Sequence, residues 1–440
     1  MDRLHREVVE LTQDLIRLDT TNAHGSQGGN ETLAARHLRD YLEDAGVECE
    51  LVAREAKRAN LVARIKGSDE QAPSLAFVGH TDVVPVDVRD WTHPPFEAVV
   101  DDHGWLYGRG AIDMKNEVAA RAVALKELAR QGFRPRGDLW FLAVADEEDG
   151  TADVGMRWLL EQRPDIRPDL SINEGGGERL DLADGRSVIS VGVGEKGTYP
   201  VRVTAVGEAG HGSTPSVGNN AVPLLGEVLR RVGAGMPRPQ RSDLVDHMLT
   251  VLLGSPGDDL DDALRRAGRL HPELEHYLPA LVGTTMAPTM VGGSTKRNVM
   301  PSRAWVELDC RILPGTTEED VEREVRERLG EGLSYELTWP EQLVAGSSSA
   351  GAGPIIDAIT AFLEDEGVEA QVLPSLGSGF TDSVYLRAAA GTAAYGFSPF
   401  LSTPVEVLTA GYHNADERIH VDDLLLSTRF HLDLARRILA

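Results

Sequence analysis

A histidine and an aspartate follow an apolar run in the first quarter of the chain and could take part in binding a metal ion. His80 and Asp82 come directly after residues 75–79 in the sequence Leu-Ala-Phe-Val-Gly-His-Thr-Asp. Residues two apart in a strand lie on one face, so both side chains are expected to point the same way. A metal-ligating histidine commonly needs a carboxylate nearby to fix its tautomer, and Asp82 could supply one. By itself this pair only suggests a ligand and its orienting partner.

Acidic residues and a second histidine occur in four later segments. Asp113 lies in the glycine-flanked loop Gly-Arg-Gly-Ala-Ile-Asp before a predicted helix, where it could equally be the N-cap. Glu147 and Glu148 belong to the run Asp-Glu-Glu-Asp that ends an apolar strand. Glu174 precedes three glycines that could simply form a turn, and His413, near the C-terminus, could be a surface residue. Like charges at the end of a buried strand repel unless a cation neutralises them, which favours a metal site.

The apolar patterns predict an α/β domain that would bring these residues together. Helical spacing covers residues 4–18, 31–45, 117–129 and 154–161, and strand-like runs cover residues 61–65, 75–78, 139–145 and 170–172. Strands that alternate with helices are typical of a mostly parallel central sheet flanked by helices. Ligands collect at the carboxyl ends of such strands, and His80, Glu148 and Glu174 each follow a predicted strand.

A smaller α+β domain is predicted to interrupt the first one. After Gly197 the pattern changes to alternating strands at residues 199–206 and 304–313, with a helix at 221–232. We expect residues 198–311 to form this inserted domain, and residues 1–197 and 312–440 to form the larger, discontinuous domain. A chain of 440 residues exceeds the usual size of a single core, which agrees with two domains.

The composition argues against several classes of protein. The net charge of −26 disfavours general binding of nucleic acids, because phosphate contacts need a basic face. No stretch approaches the roughly 18 consecutive apolar residues of a membrane span. Only Cys49 and Cys310 occur, too few for a disulfide framework or a thiolate zinc site. We expect a cytoplasmic protein that binds neither nucleic acid nor membrane.

Taken together, the five segments resemble the M20 family of metallopeptidases and amidohydrolases over nearly the whole chain. The motifs occur in the order His-x-Asp with Val-Val-Pro, Gly-Arg-Gly-x-x-Asp-Met-Lys, Asp-Glu-Glu, Glu-Gly and a late His-Asn-x-x-Glu. The resemblance implies a site for two divalent metal ions that Asp113 bridges. It further implies that His80 and Glu174 complete one ion's ligands, and that Glu148 and His413 complete the other's.

The resemblance also implies the chemistry of this site. Mixed imidazole and carboxylate ligands suit Zn²⁺ best, although Co²⁺ or Mn²⁺ would fit the same donors. Glu147, assigned to neither ion, is implied as the general base that takes a proton from water and delivers it to the leaving nitrogen. Asp82 is implied to orient His80. The expected reaction is hydrolysis of an amide bond.

The predicted insertion resembles the family's lid domain, which in relatives also mediates dimerisation. Its segment Ala-Gly-His-Gly-Ser-Thr-Pro matches the loop whose histidine, here His211, is thought to reach a partner's active site and stabilise the oxyanion. Asn298 and Arg311 match lid positions near the substrate. A bidentate Arg311 would suit a substrate carboxylate, although a structural salt bridge is an alternative. The resemblance implies a homodimer formed through this domain.

These features favour a metal-dependent hydrolase of a small N-acyl amino acid or short peptide. A dipeptidase or carboxypeptidase of the same family stays open, while residues 20–22, Thr-Thr-Asn, resemble the deacetylase and desuccinylase branch. A catalytically silent scaffold would be expected to lack a ligand or the base, and none is missing from the sequence. A two-metal phosphohydrolase is disfavoured, because no segment resembles a phosphate-binding loop.

Overall fold

The computed structural model describes residues 2–23, 28–233 and 237–440 and divides the chain into two compact units. The first unit comprises Met1–Val193, Ser349–Ser375 and Thr381–Ala440, and the second comprises Gly194–Ser348 and Leu376–Phe380. The second unit therefore extends well past the predicted boundary at residue 311, which corrects the predicted ranges 198–311 and 312–440.

The described residues form helices and strands with the following bounds. The helices are α1 (Arg3–Arg17), α2 (Thr32–Glu43), α3 (Lys115–Arg130), α4 (Met156–Gln162), α5 (Ala221–Val232), α6 (Asp243–Leu253), α7 (Leu260–Gly268), α8 (Pro272–Leu281), α9 (Glu318–Leu329), α10 (Pro354–Asp365), α11 (Ser383–Ala390), α12 (Val405–Gly411) and α13 (Val421–Leu439). The strands are β1 (Glu48–Ala53), β2 (Ala59–Ile65), β3 (Leu75–His80), β4 (Val99–Val100), β5 (Trp105–Tyr107), β6 (Leu139–Val144), β7 (Leu170–Asn173), β8 (Gly176–Asp181), β9 (Ser187–Glu195), β10 (Gly197–Thr198), β11 (Val201–Val206), β12 (Gly210–His211), β13 (Thr285–Gly292), β14 (Val299–Met300), β15 (Arg303–Ile312), β16 (Tyr335–Thr338), β17 (Ser347–Ser348), β18 (Gln371–Gly377), β19 (Ala393–Gly396) and β20 (Arg418–His420).

The central sheet of the first unit confirms the predicted α/β class. Its strands follow the order β1, β2, β6, β3, β7, β19 and β9. The four strands at its centre, β6, β3, β7 and β19, are parallel, and antiparallel strands flank them. Leu75 of β3 lies opposite Leu139 of β6 and Leu170 of β7. Because these strands run in register, their carboxyl ends meet at one edge of the sheet.

Helices cover both faces of this sheet because the central strands are apolar on both sides. Every residue of β3 and β6 is buried, as expected of a parallel sheet between helical layers. One face packs Val78 and Leu142 with Leu159 of α4 and Leu386 of α11. On the other face α3 packs against β3, α1 and α13, which buries α3 on nearly all sides. The strand ends are thereby held between two rigid layers.

The second unit has its own sheet and core. The long strand β15 pairs with β10, β11 and β13, and β11 pairs with β16. Helices α5 and α9 contribute Val228, Val321 and Val325 to the core beneath it. Since β16 and α9 complete this sheet and its core, residues 312–348 fold with the second unit rather than the first. Within the described residues no helix is long and apolar enough to cross a membrane.

Candidate metal centre

His80 closes β3 and directs its two ring nitrogens at different oxygens. Its Nε2 lies 3.0 Å from Asp113 Oδ1 and 3.4 Å from Glu174 Oε2. Its Nδ1 lies 3.0 Å from the backbone oxygen of Asp82 and 3.5 Å from the Asp82 carboxylate. The shorter contact indicates that Nδ1–H donates to the carbonyl of Asp82, which leaves Nε2 for the site.

The carboxylate of Asp82 holds the turn that follows β6. It accepts the backbone N–H of Glu147 at 3.3 Å and of Glu148 at 3.2 Å, and the side-chain amide of Asn22 at 2.9 Å. Asp146, which begins this turn, has a φ of 64°, a conformation uncommon outside glycine. Asp82 therefore positions both glutamates, in addition to the contact that its backbone makes with His80.

Asp113 lies in a loop before α3 and is not the N-cap of that helix, which begins at Lys115 after Met114. The peptide bond between Asp113 and Met114 is cis. The loop is bound by the fully buried carboxylate of Glu417. This carboxylate accepts the backbone N–H of Gly110 at 3.0 Å, of Ile112 at 2.6 Å and of Asp113 itself at 3.0 Å.

The two oxygens of Asp113 face two separate groups of side chains. Oδ1 is the atom near His80, whose Nε2 is also near Glu174. Oδ2 lies 3.2 Å from Nε2 of His413, and the same nitrogen lies 3.2 Å from Glu148 Oε2. His413 has a φ of 56°, in the left-handed region, which is frequent at functional sites when the surrounding structure holds it. Each oxygen of Asp113 thus faces one histidine, and each of these histidines has a glutamate oxygen within 3.4 Å.

The carboxylates of this cluster raise the pKa values of both histidines. Burial opposes a charged imidazole at His80, but Glu174 and Asp113 outweigh it and raise the pKa well above the ordinary value. Hydrogen bonds with Asp113 and Glu148 raise the pKa of His413 to about 10. Burial would raise the pKa of Asp113, yet the bonds from His413 and His80 lower it. The pKa shifts of both histidines thus reflect the negative charge of the carboxylates around them, a charge that would also favour a bound cation.

The pKa values of the two adjacent glutamates, Glu147 and Glu148, are raised, whereas that of Asp113 is lowered. Burial raises the pKa of Glu148 to about 7, although the hydrogen bond with His413 opposes this. Burial, followed by the negative charge of Glu174, raises the pKa of Glu147 well above its ordinary value. A buried carboxyl group whose pKa lies above the usual range is suited to take up and release a proton near neutral pH.

The donors present fit divalent metal ions. His80, Asp113 and Glu148 offer ligand atoms that lie within 4.8 Å of one another, and so do His80, Glu147 and Glu174. One oxygen each of Glu148 and Glu174 is buried without a hydrogen-bond partner among the described residues. Buried carboxylate oxygens are costly unless they are paired or bind a metal. Imidazole nitrogens mixed with carboxylate oxygens are the donors expected for Zn²⁺ and related ions.

A buried network behind this cluster was not predicted from the sequence. Arg58 donates through Nε to Glu31 at 2.6 Å and through Nη2 to Asp146 at 3.2 Å, and Asn22 joins Asp146 to Asp82. Each of these residues has under 5% of its surface exposed. Arginine and glutamate at isolated loop and helix positions usually lie at the surface, so the sequence gives no signal for their burial. For Asn22 the sequence offers only the resemblance of residues 20–22 to one branch of the family.

Glu417 and its partner Arg109 were also not predicted as site residues. Glu417 belongs to the late His-Asn-x-x-Glu motif and Arg109 to the Gly-Arg-Gly motif, so these motifs are the signal by which both could be found. Nη1 of Arg109 donates to Oε2 of Glu417, and both side chains are at most 3% exposed. Burial raises the pKa of Glu417, while Arg109 opposes the rise. This ion pair connects the segment that carries His413 with the loop that carries Asp113.

The remaining predicted residues belong to the second unit. His211 is exposed in β12, and its Nδ1 lies 2.7 Å from Ser213 Oγ and accepts the Ser213 backbone N–H at 3.2 Å. Asn298 accepts the N–H of Gly212 through its backbone oxygen at 2.9 Å. Arg311 donates to both carboxylate oxygens of Asp309, at 2.9 and 3.3 Å. The salt bridge considered as an alternative for Arg311 is therefore present.

The chain is similar in sequence to known proteins. The sequence model of peptidase family M20/M25/M40 matches residues 76–437. Aminoacylase-1 of Mus musculus is 26% identical over 427 residues, which are 95% of this chain and 91% of the relative. A probable succinyl-diaminopimelate desuccinylase of Staphylococcus aureus is 30% identical over 312 residues, which are 70% of this chain and 69% of the relative.

The fold also resembles solved structures. The crystal structure of an M20 family metallo-carboxypeptidase from Sulfolobus solfataricus superimposes with a TM-score of 0.72, covering 100% of this chain and 99% of that one. The sequences are 17% identical, so this likeness concerns the fold.

Proposed function

Because this chain belongs to peptidase family M20/M25/M40, a family of metal-dependent peptidases and amidohydrolases, we propose that it hydrolyses the amide bond of a small N-acyl amino acid or short peptide. The observation that carries the proposal is the arrangement around Asp113. Its two carboxylate oxygens face two imidazoles, and each imidazole has a glutamate oxygen within 3.4 Å. A carboxylate that serves two such groups is suited to bridge two ions.

The proposed ligands follow from these contacts. His80 and Glu174 would hold one ion, Glu148 and His413 would hold the other, and Asp113 would serve both. Two divalent ions, of which Zn²⁺ suits these donors best, would supply Lewis acidity at the scissile carbonyl and would lower the pKa of water at the site. Co²⁺ or Mn²⁺ suits the same donors. Asp82 holds the ring of His80 and the backbone of both glutamates in place.

Glu147 is proposed as the general base. It follows the turn that Asp82 holds, and one of its oxygens lies within 4.8 Å of ligand atoms of His80 and Glu174. Its raised pKa allows it to accept a proton from the attacking water and to return that proton to the departing amine. The same proximity would also permit Glu147 to ligate an ion, so metal content distinguishes the two roles.

His211 is proposed to stabilise the oxyanion of the tetrahedral intermediate in a partner subunit. Because its Nδ1 accepts the backbone N–H of Ser213, the proton of the neutral ring lies on Nε2, which can then donate. Asn298, whose backbone contacts the same loop, and Arg311 are proposed to contact the substrate. Arg311 would have to share its guanidinium between Asp309 and a substrate carboxylate.

A homodimer formed through the second unit is part of this proposal. Strand β13 has one sheet neighbour, β15, among the described residues, and five of its eight residues are exposed. Met290 and Val291 on this strand are 55% and 63% exposed. Long, apolar edge strands are usually covered, and pairing with a second copy would do so. We propose a cytoplasmic location because both cysteines are free.

The proposed substrate class is based on the names of two relatives. One is an aminoacylase and the other a probable desuccinylase, and both names denote removal of an acyl group. This favours an N-acyl amino acid over a dipeptide. A dipeptidase or carboxypeptidase is the second candidate, which the resemblance of the fold to a metallo-carboxypeptidase keeps open.

A pooled panel of N-acyl amino acids and dipeptides tests the proposal. The protein is incubated with Zn²⁺ or Co²⁺, and released amines are identified by mass spectrometry, with a chelator-treated sample beside it. We expect chelator-sensitive release from at least one N-acyl amino acid. The variant Glu147→Gln should bind two ions and release nothing. Metal-loaded wild-type protein that hydrolyses no member of the panel would contradict the proposed activity, and loss of an ion in Glu147→Gln would make Glu147 a ligand.

A further inference from the structure

A fully buried arginine lies beneath the strand ends that carry two of the proposed ligands. Arg121 of α3 has no exposed surface. Its Nη1 donates to the backbone oxygen of Val78, and its Nη2 donates to the backbone oxygen of Asn173 at 2.9 Å. Val78 lies two residues before His80 in β3, and Asn173 lies directly before Glu174 at the end of β7. One guanidinium therefore contacts both strands next to their ligands.

The pairing of the two strands ends where the arginine joins them. Strands β3 and β7 pair from Leu75 and Leu170 as far as Phe77 and Ile172. Val78 and Asn173 are the next residues on each strand, and the two carbonyls that Arg121 binds belong to them. Because a guanidinium is planar and its donors have fixed geometry, it sets the separation of the two carbonyls more firmly than a flexible group would.

The other donors of Arg121 have partners that keep the group in place. Its Nη2 also donates to the buried carboxylate of Glu117, one turn earlier in α3. Its Nε–H donates to Nε2 of His431 in α13 at 3.1 Å. Nδ1 of His431 donates to the backbone oxygen of Ser427 at 2.7 Å, so Nε2 is the acceptor of a neutral ring. A buried charge with this many hydrogen bonds has one favoured orientation.

The packing around the arginine leaves little room for adjustment. A Cβ added to Gly79, between Val78 and His80, would lie 2.8 Å from Val118 of α3 and 3.4 Å from Nη1 of Arg121. The helix and the strand are thus in close contact at this point. A shift of the guanidinium would be transmitted to the strand end, because well-packed interiors do not absorb such shifts.

We propose that Arg121 is a positioning residue that sets the spacing of His80 and Glu174 and thereby the affinity of the ion that these two residues hold. The proposal rests on the ligand assignment made under the proposed function. It assigns no such effect to the ion held by Glu148 and His413, whose segments Arg121 does not contact through any of the hydrogen bonds described above. Residues that orient ligands from outside a metal site commonly change metal affinity by about 10- to 100-fold when they are replaced.

Calorimetric titration of metal-free protein with Zn²⁺ tests the proposal in the variant Arg121→Lys. Lysine keeps the charge, but its single ammonium cannot span both carbonyls in the geometry of the guanidinium. We expect two tight ions in the wild type, and one tight and one 10- to 100-fold weaker ion in Arg121→Lys. The matched control is Arg130→Lys on the same helix, where the arginine is part-exposed and pairs with Glu7, and it should bind as the wild type does.

Two double variants identify the ion that is weakened. Adding Arg121→Lys to Glu174→Ala should cause little further loss, because both changes act on the same ion. Adding it to His413→Ala should leave no tight ion. Any of three results would overturn the positioning role of Arg121. They are the opposite pattern in the two double variants, an equal weakening of both ions in Arg121→Lys, and two ions bound at wild-type affinity in Arg121→Lys.

A charge-neutral variant provides the same test if Arg121→Lys does not fold. Replacing both partners, as Glu117→Gln with Arg121→Gln, leaves no unpaired buried charge and should weaken the same ion. Wild-type protein that binds fewer than two ions would instead overturn the two-ion proposal itself, and with it the role of Arg121. Wild-type protein with two ions and no effect of either variant would overturn the role of Arg121 alone.

Discussion

Replacing Glu417 by glutamine should destabilise the protein and impair the metal centre together. Glutamine keeps one oxygen that can accept the N–H groups of Ile112 and Asp113. Its amide nitrogen would then face Nη1 of Arg109 and the N–H of Gly110, both of which are donors. The variant Glu417→Gln therefore leaves a buried guanidinium and a backbone N–H without an acceptor.

The size of the effect follows from this loss. Breaking a buried ion pair by changing one partner costs about 3 to 5 kcal/mol. For a large unit, 1 kcal/mol lowers the melting temperature by about 2 °C, so we expect a fall of about 6 to 10 °C. Since Glu417 also binds the N–H of Asp113, the proposed bridging ligand should shift, and Zn²⁺ affinity should fall as well.

Thermal melting of metal-free protein and equilibrium dialysis against Zn²⁺ measure the two effects. Glu369→Gln is a suitable control, because Glu369 is exposed and carries the same chemical change. A melting temperature within about 1 °C of wild type in Glu417→Gln would refute the reasoning, since that shift is far below the cost of a broken buried pair. Unchanged Zn²⁺ affinity despite a lower melting temperature would show that the ion pair supports the fold and not the ligand.

Two further predictions concern the second unit. His211→Ala should lower turnover by orders of magnitude. If His211 acts in a partner's site, mixing this variant with Glu147→Gln under subunit exchange should restore up to roughly a quarter of the wild-type rate, as expected for a two-fold dimer. A mixture as inactive as its components would exclude action across the dimer. Lys196 is buried and donates to the carbonyls of Ala280 at 2.9 Å and Gly283 at 2.7 Å, and burial lowers its pKa to about 8. Unfolded lysine keeps a pKa near 10.4, so between about pH 8 and pH 10 the unfolded chain binds more protons and stability should rise with pH. Urea unfolding should show this rise in the wild type and not in Lys196→Met, and parallel pH profiles would contradict it.

The sequence predicts those residues of the candidate metal centre that lie at strand ends. His80 and Glu174 each come at the end of a short apolar strand, and parallel strands in register bring such ends together. His413 could be placed only by resemblance, because no local pattern connects a residue near the C-terminus with a loop near residue 113. The fold class could be predicted because alternating helices and strands leave few possible layer arrangements, and the central sheet confirms it.

The supporting residues could not be predicted because burial of a charge depends on partners that are distant in sequence. Arg58 lies 88 residues from Asp146 along the chain, and Arg121 lies 310 residues from His431. Each reads alone as an ordinary surface arginine. The predicted boundary at residue 311 differs from the end of the second unit for a related reason. Arg202 in β11 pairs with Thr338 in β16, and local periodicity cannot reveal a contact between residues so far apart in the sequence.

The bond between Asp113 and Glu417 also orders events during biosynthesis. These residues are separated by 304 positions, and ribosomes add about 5 to 20 residues per second. The loop that carries Asp113 is therefore synthesised roughly 15 to 60 s before Glu417, whose carboxylate binds it. During that interval the nascent chain displays Asp113, Glu148 and Glu174 without His413. The set of proposed ligands that includes His413 can therefore form only after the chain has been synthesised past this residue, and until then Asp113 and Glu148 lack their shared imidazole neighbour.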